Sequence, residues 1–208
     1  MIYEMRTYTL KPASVAKFEE EFAKSYEVRQ KYSKMAFLGH TDIGPLNQVV
    51  HIWPYEDLNQ RQEIRAKAAA DPSKLWPPHV GDLELEMQSD ICFAAPFMRP
   101  LDGTSQALGG VYEMRIYTYK TGAIPEVIKL WTEAVPYREK FSPLVTAMYT
   151  DLGGLNKWIH TWPYKDLGER SRIRAEANKD PHWPAPTQHL LVKQENKILI
   201  PASCSPLH

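Results

Sequence analysis

Two stretches of the chain, HIWPYEDLNQRQEIRAKAAADP from His51 and HTWPYKDLGERSRIRAEANKDP from His160, are nearly the same and stand 109 residues apart. The same offset relates YEMRTYTLK at Tyr3 to YEMRIYTYK at Tyr112, TDIGPLN at Thr41 to TDLGGLN at Thr150, and Asp71-Pro72 to Asp180-Pro181. A register held over that length means that one structural unit is written twice, head to tail. It slips by two or three residues only afterwards, where LWPPH stands against HWPAPTQH. Between the copies, RPLDGTSQALGG is rich in Pro, Gly, Ser and Thr and reads as a linker. The expected organisation is a first domain over 1–98, a linker over 99–110 and a second domain over 111–208.

Within each copy the periodicities alternate. IYEMRTYTL and VYEMRIYTY are β-branched and aromatic, so they read as strands. Val15, Phe18, Phe22 and Tyr26 then recur at three- and four-residue steps, as do Ile124, Val127, Trp131 and Val135, which predicts a helix in each copy. Pro125 suits the first turn of the second-copy helix, whereas Pro136 predicts an early end or a kink. KMAFLGHTDIG and QVVHIWPY flank a turn at Asp42 to Asn47 and predict a hairpin. A helix over 57–70 and a last strand in LELEMQSDICFAAPF complete the unit. Strand, helix, strand, strand, helix, strand is the ferredoxin-like order, an α+β fold whose antiparallel sheet carries both helices on one face. Two tandem units with their sheets packed face to face would cover the other face of each.

The repeated motif divides residue by residue. Asp57 with Gln60, and Asp166 with Glu169, have the spacing of a capping box. Pro54 and Pro163 mark where a strand stops. Arg61 and Arg65, like Arg170 and Arg174, share a helix face and read as a solvated basic stripe, while Ile64, Ala68, Ile173 and Ala177 mark the buried face. Along the strands, Glu4, Arg6 and Tyr8 share one face, as do Glu113, Arg115 and Tyr117; His51 and Trp53, with His160 and Trp162, do the same. The apolar faces opposite them are expected beneath the helices. The polar and aromatic face would then meet the other sheet, with Glu4 and Arg6 across from His51 and Trp53. Enclosed there, these groups must pair with one another or hold a ligand.

Several function classes lack support. Lys+Arg equals Asp+Glu, and no basic run stands out, so there is no electrostatic footprint for nucleic acid. Cys92 and Cys204 are isolated and read as reduced, buried small hydrophobes. No histidine stands at metal-ligand spacing from His51 or His160, so no metal or cofactor is implied by motif. Phosphate loops, nucleophile elbows and catalytic cysteine motifs do not occur. No apolar run reaches a membrane-spanning length, and a strand begins within two residues of Met1; the expectation is a cytoplasmic chain.

The paired YEMRxYT strands, the central hairpin and HxWPYxDLxxRxxIR followed by DP and WP together resemble the NIPSNAP family, over roughly 3–96 and 112–201. The resemblance implies a dimeric α/β barrel, formed either within this chain as a pseudo-dimer or between chains of a homo-oligomer. The family has no settled catalytic residues to carry over. Fold-level analogy adds cofactor-independent monooxygenases and haem-handling enzymes. Two readings stand beside each other. In one, Glu4, Arg6, Tyr8, His51 and Trp53, with Glu113, Arg115, Tyr117, His160 and Trp162, face a small-molecule ligand, a histidine serving as base and an arginine as anion holder. In the other they are a structural network in a non-enzymatic scaffold or interaction module.

Overall fold

Each copy folds as β-α-β-β-α-β because its periodicity switches from two to 3.6 and back at capped or Pro/Gly-marked joints. The computed structural model describes residues 1–208. The first half runs β1 (Ile2–Leu10), α1 (Val15–Arg29), β2 (Phe37–Ile43), β3 (Gln48–Tyr55), α2 (Leu58–Ala69) and β4 (Glu84–Ala94). The second runs β5 (Val111–Tyr119), α3 (Ile124–Arg138), β6 (Thr146–Leu152), β7 (Lys157–Tyr164), α4 (Leu167–Ala177) and β8 (Leu191–Pro201). The strands are antiparallel in the order β4-β1-β3-β2 and β8-β5-β7-β6, and β2–β8 and β4–β6 seams close them into one barrel within the chain.

Both capping boxes form. Asp57 accepts from the Gln60 amide at 2.8 Å while the Gln60 side chain accepts from the Glu56 amide, and Asp166 and Glu169 repeat the arrangement. Pro136, expected to cut α3 short, lies inside a helix that continues to Arg138. It sits in the last turn, where one amide is forfeited but Glu139 still donates to the Val135 carbonyl.

The expected assignment of faces is reversed. Tyr3, Met5, Val50 and Ile52 point into the barrel, sharing one buried core with Tyr112, Met114 and Ile159 of the other half. The interior of an eight-stranded barrel is just wide enough for side chains to fill, and apolar residues fill it without needing partners. Glu4, Arg6, Tyr8, His51 and Trp53 therefore lie on the outer face, beneath the helices. There α1 brings Phe18, Phe22 and Tyr26 against Tyr8, Trp53 and Tyr55.

The second helix of each half packs differently. Only Ala68 of α2 is buried, and only Ile173 and Ala177 of α4. So little apolar area cannot hold a helix of eleven or twelve residues to a sheet, and polar contacts must do it.

The two halves also meet through a polar pair near each seam. Buried Asp90 on β4 binds Lys157 at 3.1 Å and accepts from the Gly154 amide at 2.8 Å; its counterpart Lys197 on β8 binds Gln48 at 2.8 Å. Gly153, in the turn that docks on Asp90, has φ +98, and an added Cβ would stand 3.2 Å from the Asp90 Cα and closer still to its carboxylate. Gly153→Ala is expected to lose about 1–3 kcal/mol, read by urea unfolding, because both the backbone and the docking are strained. The same change at Gly81, where nothing lies within 4 Å, is expected to be nearly neutral.

Candidate functional site

The site grows from the first strand of each half. Glu4 lies opposite Trp53 and Arg6 opposite His51; in the second half Glu113 lies opposite Trp162 and Arg115 opposite His160. The cross-strand neighbours are those expected from alternation, moved to the helix side.

Glu4 is fully buried and takes hydrogen bonds from Arg6 at 2.9 Å, Arg61 at 2.6 Å and Ser89 at 2.8 Å, with Arg65 at 3.7 Å. Glu113 repeats this with Arg115 at 3.0 Å, Arg170 at 2.7 Å and Arg174 at 3.3 Å. The arginines of α2 and α4 are thus no solvated stripe; they reach down to a carboxylate that the sheet presents. Burial opposes the Glu4 charge, but the Arg61 hydrogen bond and the guanidiniums of Arg6 and Arg65 prevail and lower its pKa to about 2. Glu113 is lowered for the same reasons.

The histidines have a defined tautomer. Trp53 Nε1 donates to His51 Nδ1 at 2.6 Å, and Trp162 Nε1 to His160 Nδ1 at 2.8 Å. An indole nitrogen only donates, so Nδ1 holds the lone pair and Nε2 carries the hydrogen. Burial, reinforced by Arg6, lowers the His51 pKa to about 3, and burial with Arg115 lowers that of His160 well below its ordinary value. Both rings stay neutral, and both Nε2 atoms are buried with no hydrogen-bond partner. Such a ring is a hydrogen-bond donor. It is not the general base expected from sequence, and it does not fit haem ligation, since the Nδ1 lone pair is occupied and Nε2 has none to give.

Each histidine faces a cavity between sheet and helices. The first, of about 390 Å³, is walled by Tyr8, Phe22, Trp53, Tyr55 and Trp76, with Arg6, Arg29 and Arg65 at its polar end. The second, of about 320 Å³, has Tyr117, Trp131, Trp162, Tyr164 and Trp183 with Arg115, Arg138 and Arg174. All the predicted residues except Glu4 and Glu113 line these cavities; the two glutamates sit behind the arginines. Sequence reasoning missed Arg29 and Arg138, which are buried, stack on Trp53 and Trp162 at 4.3 and 4.2 Å, and donate to Tyr55 and Tyr164. The available signal was a charge that extends the apolar stripe of α1 from Phe22 and Tyr26, and recurs 109 residues on. Trp76 and Trp183, retained in the two WP motifs, were the other missed walls.

Two sheets closed into one barrel with outer helices define the dimeric α/β-barrel class. A sequence model described as NIPSNAP matches residues 3–99 and 112–206, and the chain belongs to that family. Protein NipSnap homolog 3A of Homo sapiens is 29% identical over 221 residues, covering 100% of this chain and 86% of its own. Protein NipSnap homolog of Dictyostelium discoideum is 30% identical over 209 residues, covering 96% and 87%. Among solved structures, a putative monooxygenase from Lactobacillus acidophilus shares the fold with a TM-score of 0.66 at 12% identity, over 97% of this chain and 94% of its own. No helix is long and apolar enough to cross a membrane.

Glu4→Gln is expected to cost about 2–4 kcal/mol at pH 7, since three guanidiniums lose their shared carboxylate. The folded pKa lies below the ordinary glutamate value of 4.5, so this stability is present above pH 4.5 and is lost as pH falls toward 2. Urea unfolding of wild type and variant should therefore converge across that window. For His51 the unfolded chain takes up the proton first, so its contribution makes stability fall from pH 6.5 toward 3. Nitrogen-15 NMR should find both rings as the neutral Nε2–H tautomer still at pH 5.

Proposed function

We propose that this NIPSNAP protein binds a small molecule with a planar or apolar body, at one site in each half. The halves, over 1–98 and 111–208 with a 99–110 linker, each bring a complete cavity. The observation that carries this reading is the buried, unpartnered Nε2–H of His51 and of His160, two residues that line the cavities. A buried donor without a partner costs about 1–3 kcal/mol, and the same cost recurs at the matching position of both copies. A ligand acceptor would meet it. Cavities of 320 and 390 Å³, walled by aromatic rings with a few convergent polar groups, have the size and lining of small-molecule sites.

The scaffold reading accounts for Glu4 and Glu113, whose networks tie helix to sheet. It leaves the histidines and the hollow beside them without a purpose. The monooxygenase-like reading rests on shared fold alone, and these histidines support donation to a ligand oxygen rather than proton removal.

Tryptophan fluorescence titration with 2-naphthol, a neutral planar probe, is expected to show saturable quenching from two sites. Ala69→Phe should fill the first cavity and Asn178→Phe the second, each abolishing one site with little change in Tm. Absence of saturable binding, or two sites surviving in both variants, would sink this reading.

A further inference from the structure

The cavities are matched in plan but not in charge. In each, one buried arginine lacks a carboxylate within ion-pair reach. Arg29 donates to the Ser33 carbonyl and hydroxyl and to Tyr55, and Arg138 to Ser142 and Tyr164, all neutral partners. A guanidinium has five N–H groups, so donors remain on both. The glutamates do not neutralise them, because Glu4 is shared among Arg6, Arg61 and Arg65, and Glu113 among Arg115, Arg170 and Arg174. Each cavity therefore gathers a buried cation, two further guanidiniums and an unpartnered histidine N–H, which is a receptor for an anion.

The walls then diverge. Glu84 lines the first cavity, with Arg6 as its charged neighbour; Leu191 occupies the matching place in the second, which no carboxylate lines. Met87 and Ala69 of the first are replaced by Gln194 and Asn178, which add neutral hydrogen-bonding groups to the second. Glu84 is half-buried and faces the Arg6 guanidinium, so the wall of the first cavity carries a carboxylate that the second lacks.

We propose that both cavities take acidic ligands and that they divide them by charge: the first holds a monoanionic carboxylate at Arg29, Arg65 and His51, and the second a dianionic phosphate monoester at Arg138, Arg174 and His160. This rests on the reading of the cavities as ligand sites and adds the chemical class to it. Glu84 is the discriminating residue, since it repels the second negative charge of a phosphate while leaving one anion well matched by the surrounding arginines.

The test uses the full chain and three probes with one ring system, 2-naphthol, 2-naphthoate and 2-naphthyl phosphate, titrated by calorimetry and tryptophan fluorescence at pH 7.5. Both acids should bind roughly tenfold or more tightly than 2-naphthol, with 2-naphthyl phosphate strongest at a single site. Arg138→Gln should remove that site and Arg29→Gln should spare it. Because both arginines brace their helices, the decision is also carried by two rim variants that leave the arginines and histidines of the cavities in place. Glu84→Gln should create a second tight 2-naphthyl phosphate site, and Leu191→Glu should weaken the existing one about tenfold. Equal affinity for naphthol and both acids would overturn the anionic class while leaving the sites standing. A phosphate site lost in Arg29→Gln and kept in Arg138→Gln, or unmoved by both rim variants, would overturn the division. No saturable binding of any probe would remove the ligand sites themselves, and the inference with them.

Discussion

A buried carboxylate on the first strand of each half is the constraint on which the outer layer of this molecule depends. Glu4 and Glu113 stand where water cannot reach, and each is tolerable only because guanidiniums arrive from its own strand and from the second helix of its half. That helix has almost no apolar face to bury. The ion cluster therefore fixes the height of the helix above the sheet, and with it the gap that becomes a cavity. Had Ile or Leu rows held α2 and α4 down instead, the space beside His51 and His160 would have closed.

Much of this was legible in the sequence. The 109-residue register gives the doubled unit, the switches in periodicity give the order of elements, and the Asp57 and Asp166 caps are visible as spacing alone. The two faces of β1 and β3 were also correctly separated. Their orientation was not, because alternation states which residues travel together and is silent on which side is inside. The deciding clue lay in another element: Arg61 and Arg65 on α2 need a counter-charge beneath them, and Glu4 on the barrel-facing side could never have met them. The tautomer of the histidines was illegible for a related reason. It depends on an indole nitrogen two residues along the same strand turning back to reach Nδ1, a side-chain conformation that no spacing specifies.

The histidine in the repeated HxWPYxDL motif thus has both an architectural and a chemical half. Its Nδ1 is consumed in holding the ring against Trp53 or Trp162, which locks the ring upright between α1 or α3 and the sheet. The lock is what leaves the other nitrogen, Nε2–H, buried and unmet. Neutrality follows from the same enclosure, since a charged imidazolium would stand beside Arg6 or Arg115 in a site already rich in cations.

Joining two copies in one chain frees each from repeating the other, and the seam pairs show what that freedom permits. Asp90 meets Lys157 at one seam, whereas the corresponding positions at the other hold Lys197 and Gln48. A barrel assembled from two first halves would leave Asp90 facing Gln48 twice, without its cation. One assembled from two second halves would set Lys197 against Lys157 at both joins. Only unlike halves give Asp90 its lysine without setting two lysines against each other, so the tandem has let its two joins specialise in opposite ways.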